Sequence, residues 1–277
     1  MIRLLVDSAS DILQNNAENI YVVPLSINIL DHDYLDGVEI DSNEFYKKLT
    51  SGKVYSKTAA PSPEAYIKIF EEVKANGDEL VCLLLSSSVS GTYQSACLAK
   101  EVVGYDKIYV VDTLTGSYGV KLLTIEAMRM IEQGATCEQI VEKVLELKNR
   151  VKVFLSVDTL DYLHRGGRLD KKSAIIGNLA KVKPIIYVSP KGFVEMYSKT
   201  IGLKKSMKFI LNVALENEVD TNYPFYSIYT YGTENPEKFE AIAKECGIEV
   251  TDRVQFGPVV GTHCGPEAYG CIYISKK

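Results

Sequence analysis

Six apolar residues in a row, Leu80 to Leu85, constrain this chain more than any other feature. Bounded by polar loops, such a run fits a strand buried on both faces, as parallel sheets require. Ile108–Val111 reads the same way, and Ile2–Val6 is a short apolar run that passes into a loop at Asp7-Ser8. Between these strands the pattern turns helical. Ser62-Pro63-Glu64 combines a capping Ser, Pro at the first helical position and an acid in the first turn. Tyr66, Ile69, Phe70 and Val73 then recur at helical spacing, and Gly77 ends the segment. Asp41-Ser42-Asn43-Glu44 has the form of another helix start, with Asp41 as cap and Glu44 following it. Residues 90–103, 117–133 and 136–149 read as further helices. The alternation predicts an α/β/α layered domain with a mostly parallel sheet over residues 1–150.

From Val151 the pattern changes. Val151–Val157 reads as a strand, followed by a basic glycine turn, Arg165-Gly166-Gly167-Arg168. Strands are expected at 182–188, 193–197, 225–231, 249–254 and 270–274, and helices at 203–217 and 236–246. Hairpin spacing around Pro190-Lys191-Gly192 implies antiparallel pairing. Residues 151–277 therefore read as a second, α+β domain with a mixed sheet. With 277 residues, two closely packed domains are the natural expectation at roughly 150 residues each.

Composition narrows the function. Hydrophobic residues are 46% and charged residues 24%, as in ordinary globular chains. The net charge is −5 and the pI about 5.4, which argues against nucleic acid, because phosphate binding needs a basic face. No apolar run approaches the ~18 residues that span a bilayer. The opening Met1-Ile2-Arg3-Leu4-Leu5-Val6-Asp7 reaches an acid too soon for a signal-peptide core. The six cysteines at 82, 97, 137, 246, 264 and 271 include no C-x-x-C pair, so neither a zinc site nor a redox motif is expected. Reduced thiols and a cytoplasmic location are the simplest expectation.

Four segments rich in glycine or small hydroxyl residues read as loops: Asp7–Asp11, Lys57–Ser62, Ser86–Thr92 and Gly257–Pro266. In open α/β sheets, ligands collect beyond the carboxyl ends of strands. Ser90 and Gly91 stand where a helix should begin, and the free N–H groups of a first turn favour an anion. The plainer reading is that Ser90 only caps its own helix. His263 lies among glycines, where backbone can approach a ligand closely, or is a hydrogen-bonded structural residue. Thr58 offers a hydroxyl to the same anion, or simply forms the turn before Pro61. The basic stretch Arg165, Arg168, Lys171 and Lys172 is either a solvated face or a dock for an acidic partner or phosphate. There is no phosphate loop, nucleophile elbow, H-E-x-x-H, calcium loop or G-x-G-x-x-G turn.

Taken together, these segments resemble the DegV family, the fatty-acid-binding family that includes the B subunits of bacterial fatty acid kinase. The resemblance is carried by Val6–Asp11, Thr58–Ser62, Ser86–Ala96, Val111-Asp112-Thr113, Leu160–Arg168, Lys183-Pro184-Ile185-Ile186 and Val260–Pro266, in order along nearly the whole chain. It implies a long-chain fatty acid held between two domains, with no other cofactor and no metal. It assigns Thr58, Ser90, the Gly91 backbone and His263 to the carboxylate. It assigns Arg165 and Arg168, with Lys199 in a second basic segment, to docking of a fatty acid kinase catalytic subunit. The chain would then be a carrier for phospholipid synthesis, presenting the acid for acyl-phosphate formation in the partner. Departures from the family pattern are Ala59-Ala60 after Thr58, Glu267 after the last motif, and lysines at Lys199, Lys204 and Lys205 where arginine is common.

Two other classes compete. Ser90, His263 and either Asp7 or Asp112 would form a Ser-His-Asp lipid hydrolase if geometry joined them. A regulatory or structural protein without ligand would show a tightly filled seam between the domains.

Overall fold

The computed structural model describes residues 1–13, 19–52, 54–169 and 181–276. Lys171 and Lys172 lie outside the described residues. The first half contains β1 (Ile2–Asp7), β2 (Ile20–Val23), β3 (Ser26–Ile29), β4 (His32–Leu35), α1 (Ser42–Thr50), β5 (Ser56–Ala59), α2 (Pro63–Asn76), β6 (Glu79–Leu84), α3 (Thr92–Val103), β7 (Ile108–Asp112), α4 (Tyr118–Glu132) and α5 (Cys137–Leu147). The second half contains β8 (Val151–Ser156), α6 (Asp161–Arg165), β9 (Val182–Val188), β10 (Val194–Ile201), α7 (Leu203–Glu216), β11 (Tyr226–Tyr229), α8 (Glu234–Glu245), β12 (Asp252–Gln255), α9 (Pro258–Cys264) and β13 (Tyr269–Ile274).

The apolar run of β6 lies inside a four-stranded parallel sheet of order β2-β1-β6-β7. Its side chains alternate between two cores, as the two-residue period of a strand demands. Leu80, Cys82 and Leu84 pack with Tyr66, Phe70 and Val73 of α2 and with Ala96, Ala99 and Val103 of α3. Val81 and Leu83 pack on the other face with Val120 and Leu123 of α4 and with Ile140 and Val144 of α5.

The second sheet has the order β10-β9-β8-β13-β11-β12, parallel only between β11 and β12. β13 is also buried along its whole length. Tyr269, Cys271 and Tyr273 face α7 and α8, whereas Ile272 and Ile274 join the core that holds Val81 and Leu83. Helix α4 touches β1 and β6 on one side and β8 and β13 on the other. The layers therefore run from α2 and α3 through the parallel sheet, α4 and α5, and the mixed sheet to α7 and α8, with one core shared by both halves.

Local chemistry sets the helix starts. Asp41 accepts the Glu44 N–H at 2.8 Å to open α1, and Thr136 and Gln139 form a reciprocal capping box on α5. Pro63 occupies the first position of α2, but the Ser62 side chain makes no cap hydrogen bond. Helix α3 begins at Thr92, after Gly91 as its cap, and not at Ser90.

Three expectations are corrected. Residues 20–35, which carry no predicted strand, supply β2, β3 and β4. The segment Lys57–Ser62 is not wholly loop, because β5 pairs with β3 in a small antiparallel sheet of order β4-β3-β5. The segment Gly257–Pro266 contains α9, opened by Pro258 at its first position. Gly261 and Thr262 inside it hide its period, yet Val259 and Cys264 are buried by it.

The shared core predicts joint unfolding. Leu83→Ala should cost about 3 kcal/mol, within the range for fully buried leucines. Urea denaturation followed by far-ultraviolet circular dichroism and tyrosine fluorescence should give one coincident transition for both proteins. Two separated transitions would show that the halves unfold independently.

Candidate functional site

Strands β1, β6 and β7 end side by side, and their following loops are fastened there. Asp7 accepts the Leu85 N–H at 2.7 Å and the Ala9 N–H at 3.0 Å, which ties the loop after β1 to the end of β6. Asp112 accepts N–H bonds from Ser87 and Leu114, both at 3.1 Å. The serines of the third loop reach the mixed sheet instead. Ser86 donates to the Gly192 carbonyl at 2.9 Å and Ser88 to the Lys191 carbonyl at 2.7 Å, both in the β9–β10 turn. Much of the hydroxyl richness of this loop thus joins the halves.

Between these ties lies a cavity that opens to the surface. Its walls are mostly apolar. Val153 and Leu155 come from β8, Ile186 and Val188 from β9, and Val194 from β10. Leu25, Leu85, Val89, Phe256, Val259 and Val260 add to the apolar surface. It has the apolar character of a small-molecule site, at the carboxyl ends of a parallel sheet where such sites collect.

Polar groups meet at one part of the wall. The Thr58 hydroxyl and His263 Nε2 are 2.9 Å apart. Arg168 donates from Nε to the Val89 carbonyl at 3.1 Å and from Nη1 to the Gly166 carbonyl at 2.6 Å. Ser90 follows Val89, and its hydroxyl bonds Thr92 Oγ1 at 2.7 Å. Thr58, Ser90, Arg168 and His263 all line the cavity. The seat of His263 is tight. A Cβ added at Gly166 would lie 2.2 Å from His263 Nδ1, so only glycine lets the basic turn approach the ring. That Nδ1 is buried and has no hydrogen-bond partner among the described residues. Burial, and second the Arg168 charge, push the His263 pKa down to about 4. The ring is therefore neutral at ordinary pH. Burial also lowers the Arg168 pKa from its usual value.

A family model for uncharacterised proteins of the DegV family matches residues 1–276. The chain belongs to the DegV family. A DegV domain-containing protein of Caldanaerobacter subterraneus subsp. tengcongensis is 37% identical, with 99% of each chain covered. Among solved structures, the fatty-acid-binding DegV family protein of Streptococcus agalactiae superposes with a TM-score of 0.91 at 26% identity, covering 100% of this chain and 99% of that one. A stearic-acid-binding protein of Eubacterium ventriosum gives a TM-score of 0.88 at 28% identity, with 100% and 99% covered. The two-domain DegV fold, with its parallel and mixed sheets, is thus the fold of this chain.

The remaining predicted site residues are distributed unevenly over this DegV fold. Gly91 caps α3 beside Ser90 but is not part of the cavity wall. Arg165 is exposed, with its guanidinium 4.1 Å from the centre of the Tyr55 ring, a cation–π contact outside the cavity. Lys199 is exposed on β10, the outermost strand of the mixed sheet among the described residues. Arg168, grouped with Arg165 on the sequence, points elsewhere and lines the cavity with His263. The wall residues of β8 and β9 carry no sequence signal of their own. Their only mark is ordinary strand alternation, which does not distinguish a cavity wall from a packed core.

The hydrolase constellation is not assembled. His263 Nε2 meets Thr58 and not Ser90, and its Nδ1 meets no carboxylate among the described residues. Asp7 and Asp112 are occupied by the backbone N–H groups described above. Among the described residues, no cluster of three or more His, Cys, Asp or Glu side chains is placed to hold a metal. No helix among them is long and apolar enough to cross a membrane.

The lowered His263 pKa makes stability depend on pH. A buried neutral imidazole contributes stability that is fully present above 6.5 and is lost as the pH falls through 4. Asp7 and Asp11, pushed up to about 7 by burial, act in the opposite sense, losing stability as the pH rises through 7. They are common to both proteins in a comparison with His263→Gln. The stability difference between wild type and this variant should change by about 3 kcal/mol between pH 7 and pH 4, read from urea midpoints. A difference that stays constant over that range would show that the ring is not held neutral by burial.

Proposed function

We propose that this protein holds a long-chain fatty acid between its two domains and presents the carboxylate to a separate fatty acid kinase, without catalysing a reaction itself. The observation that carries this reading is the apolar cavity whose polar lining joins Thr58, Ser90, Arg168 and His263. The fatty-acid-binding DegV structures described above support it, because their fold matches along the whole chain.

The energetics agree. A sixteen-carbon acid has about fourteen methylenes, and ~0.8 kcal/mol each amounts to roughly 11 kcal/mol gross. Lost motion and ordering consume several kcal/mol of this, which leaves room for submicromolar affinity from the tail alone. The head group contributes orientation. A carboxylate leaving water needs hydrogen bonds, or it takes up a proton. Two hydroxyls, a guanidinium and an imidazole can meet that need. Arg168 adds the positive charge that the hydroxyls lack. The exposed Arg165, stacked on Tyr55, is suited to a partner surface, as is Lys199 on β10. A kinase must bring its phosphate to the acid's oxygen, so the charged end has to be reachable.

Mass spectrometry of purified protein, delipidated and then exposed to mixed long-chain acids, should recover a bound acid. Ser90→Ala and His263→Ala should each weaken binding by about tenfold, the loss of one hydrogen bond to a charge. They should reduce acyl-phosphate formation with a kinase further. Arg165→Ala should bind lipid normally and fail only in the kinase-coupled assay. Failure to recover any acid would reject the carrier reading, and equal loss of lipid binding in the Arg165 variant would reject the division of roles.

A further inference from the structure

The loop after β1 bears on the cavity without entering it. Asp11 closes the single 3-10 turn Ser8–Ser10 in a left-handed conformation, with φ 57°. Its Oδ1 accepts the Gly257 N–H at 3.0 Å. Its Oδ2 accepts the Ser117 hydroxyl. Both partners stand immediately before a helix: Ser117 caps α4, and Gly257 caps α9, which lines the cavity. Ser117 itself lines the cavity, and α9 contributes Val259, Val260, His263 and Cys264. Asp11 is not part of that lining.

The approach of carboxylate to backbone is close. A Cβ added at Gly257 would lie 2.4 Å from Asp11 Oδ1. Yet the backbone of Gly257, with φ −69°, is one that any residue adopts. The glycine is thus required by the carboxylate and not by the turn.

We propose that Asp11 is a positioning residue for the polar end of the cavity, holding the Gly257 N–H so that α9 presents His263 to Thr58. Asp11 touches no ligand in this arrangement. It acts through one backbone hydrogen bond at the start of α9, and the helix carries the effect to His263. The affinity arm of the test rests on the fatty-acid reading; the spectroscopic arm does not.

The chain has three histidines, His32, His164 and His263, so each ring can be followed by proton–carbon NMR on the full-length protein. Asp11→Ala should move the His263 ring signals, leave those of His32 in place, and weaken binding of a fluorescent fatty-acid analogue by about tenfold. Asp11→Asn keeps an oxygen for Gly257 and offers an amide donor to Ser117. It should return the His263 signals and bring affinity within about threefold of wild type, as expected when only charge is removed. Gly257→Ala should reproduce Asp11→Ala from the other side of the contact. Phe239→Leu, a substitution in the core under α7 and α8, should lower the melting temperature without moving His263. Wild-type His263 signals in Asp11→Ala or Gly257→Ala would overturn the proposal. So would an Asn variant as displaced as the Ala variant, or an equal displacement in Phe239→Leu. Displaced His263 signals with no analogue binding in any protein, wild type included, would uphold the positioning role and remove the fatty-acid reading.

Discussion

The seating of one short helix governs the site. Helix α9 belongs to the second half of the chain, yet its polar anchors come from the first half. Tyr46 donates its hydroxyl to the Phe256 carbonyl at 2.7 Å, and Asp11 accepts the Gly257 N–H. The Ser56 hydroxyl bonds Thr262 at 2.9 Å, and Thr58 bonds His263 at the same distance. Each is buried or partly buried, where a hydrogen bond is strong when made and expensive when missing. Together they hold α9 against β5 and α1, with Val259 packed among Phe45, Tyr46 and Leu49 of α1. The small β4-β3-β5 sheet is thereby explained: it carries Ser56 and Thr58 to this helix.

The cavity is an exception to the close packing around it. Val153, Leu155 and Ile186 line it while belonging to the same core as Val81 and Leu83. Interiors normally fill to the density of organic crystals. Here the strands that should meet across the seam are held apart by the loops between them. Ser86 and Ser88 span the gap to the β9–β10 turn by carbonyl bonds, so the halves, which share a core around α4, are also tied beside the cavity.

Legibility in the sequence followed this division. Leu80–Leu85 and Tyr269–Ile274 announce themselves because burial on both faces leaves no polar position. Helices α1 and α5 begin at residues whose side chains do the capping, and the cap is a local event. Strand β5 is not legible, because its partner β3 lies far off in sequence and its residues include Lys57 and Thr58; the β3–β4 hairpin is hidden by polar Ser26 and Asn28 and by a left-handed turn, Leu30-Asp31, that lacks glycine. Helix α9 was hidden by Pro-Val-Val-Gly-Thr, a composition that suits a loop unless tertiary bonds hold it. Arg168 separates from Arg165 only in three dimensions, since three residues along a turn can reverse direction. The cavity wall could not be read at all: a valine facing a void and a valine facing another valine look alike.

The order of strands in the mixed sheet has a consequence for synthesis. β13 lies between β8 and β11, in the middle of the sheet, although it is translated after every strand it joins. Until it emerges from the ribosome, β8 and β11 have no common neighbour and their inner edges stay open. Helix α9 leaves the ribosome just ahead of β13, so the last wall of the cavity and the last strand of the sheet arrive together. The cavity between the sheets therefore cannot close until β13 has emerged, after every other strand of both sheets.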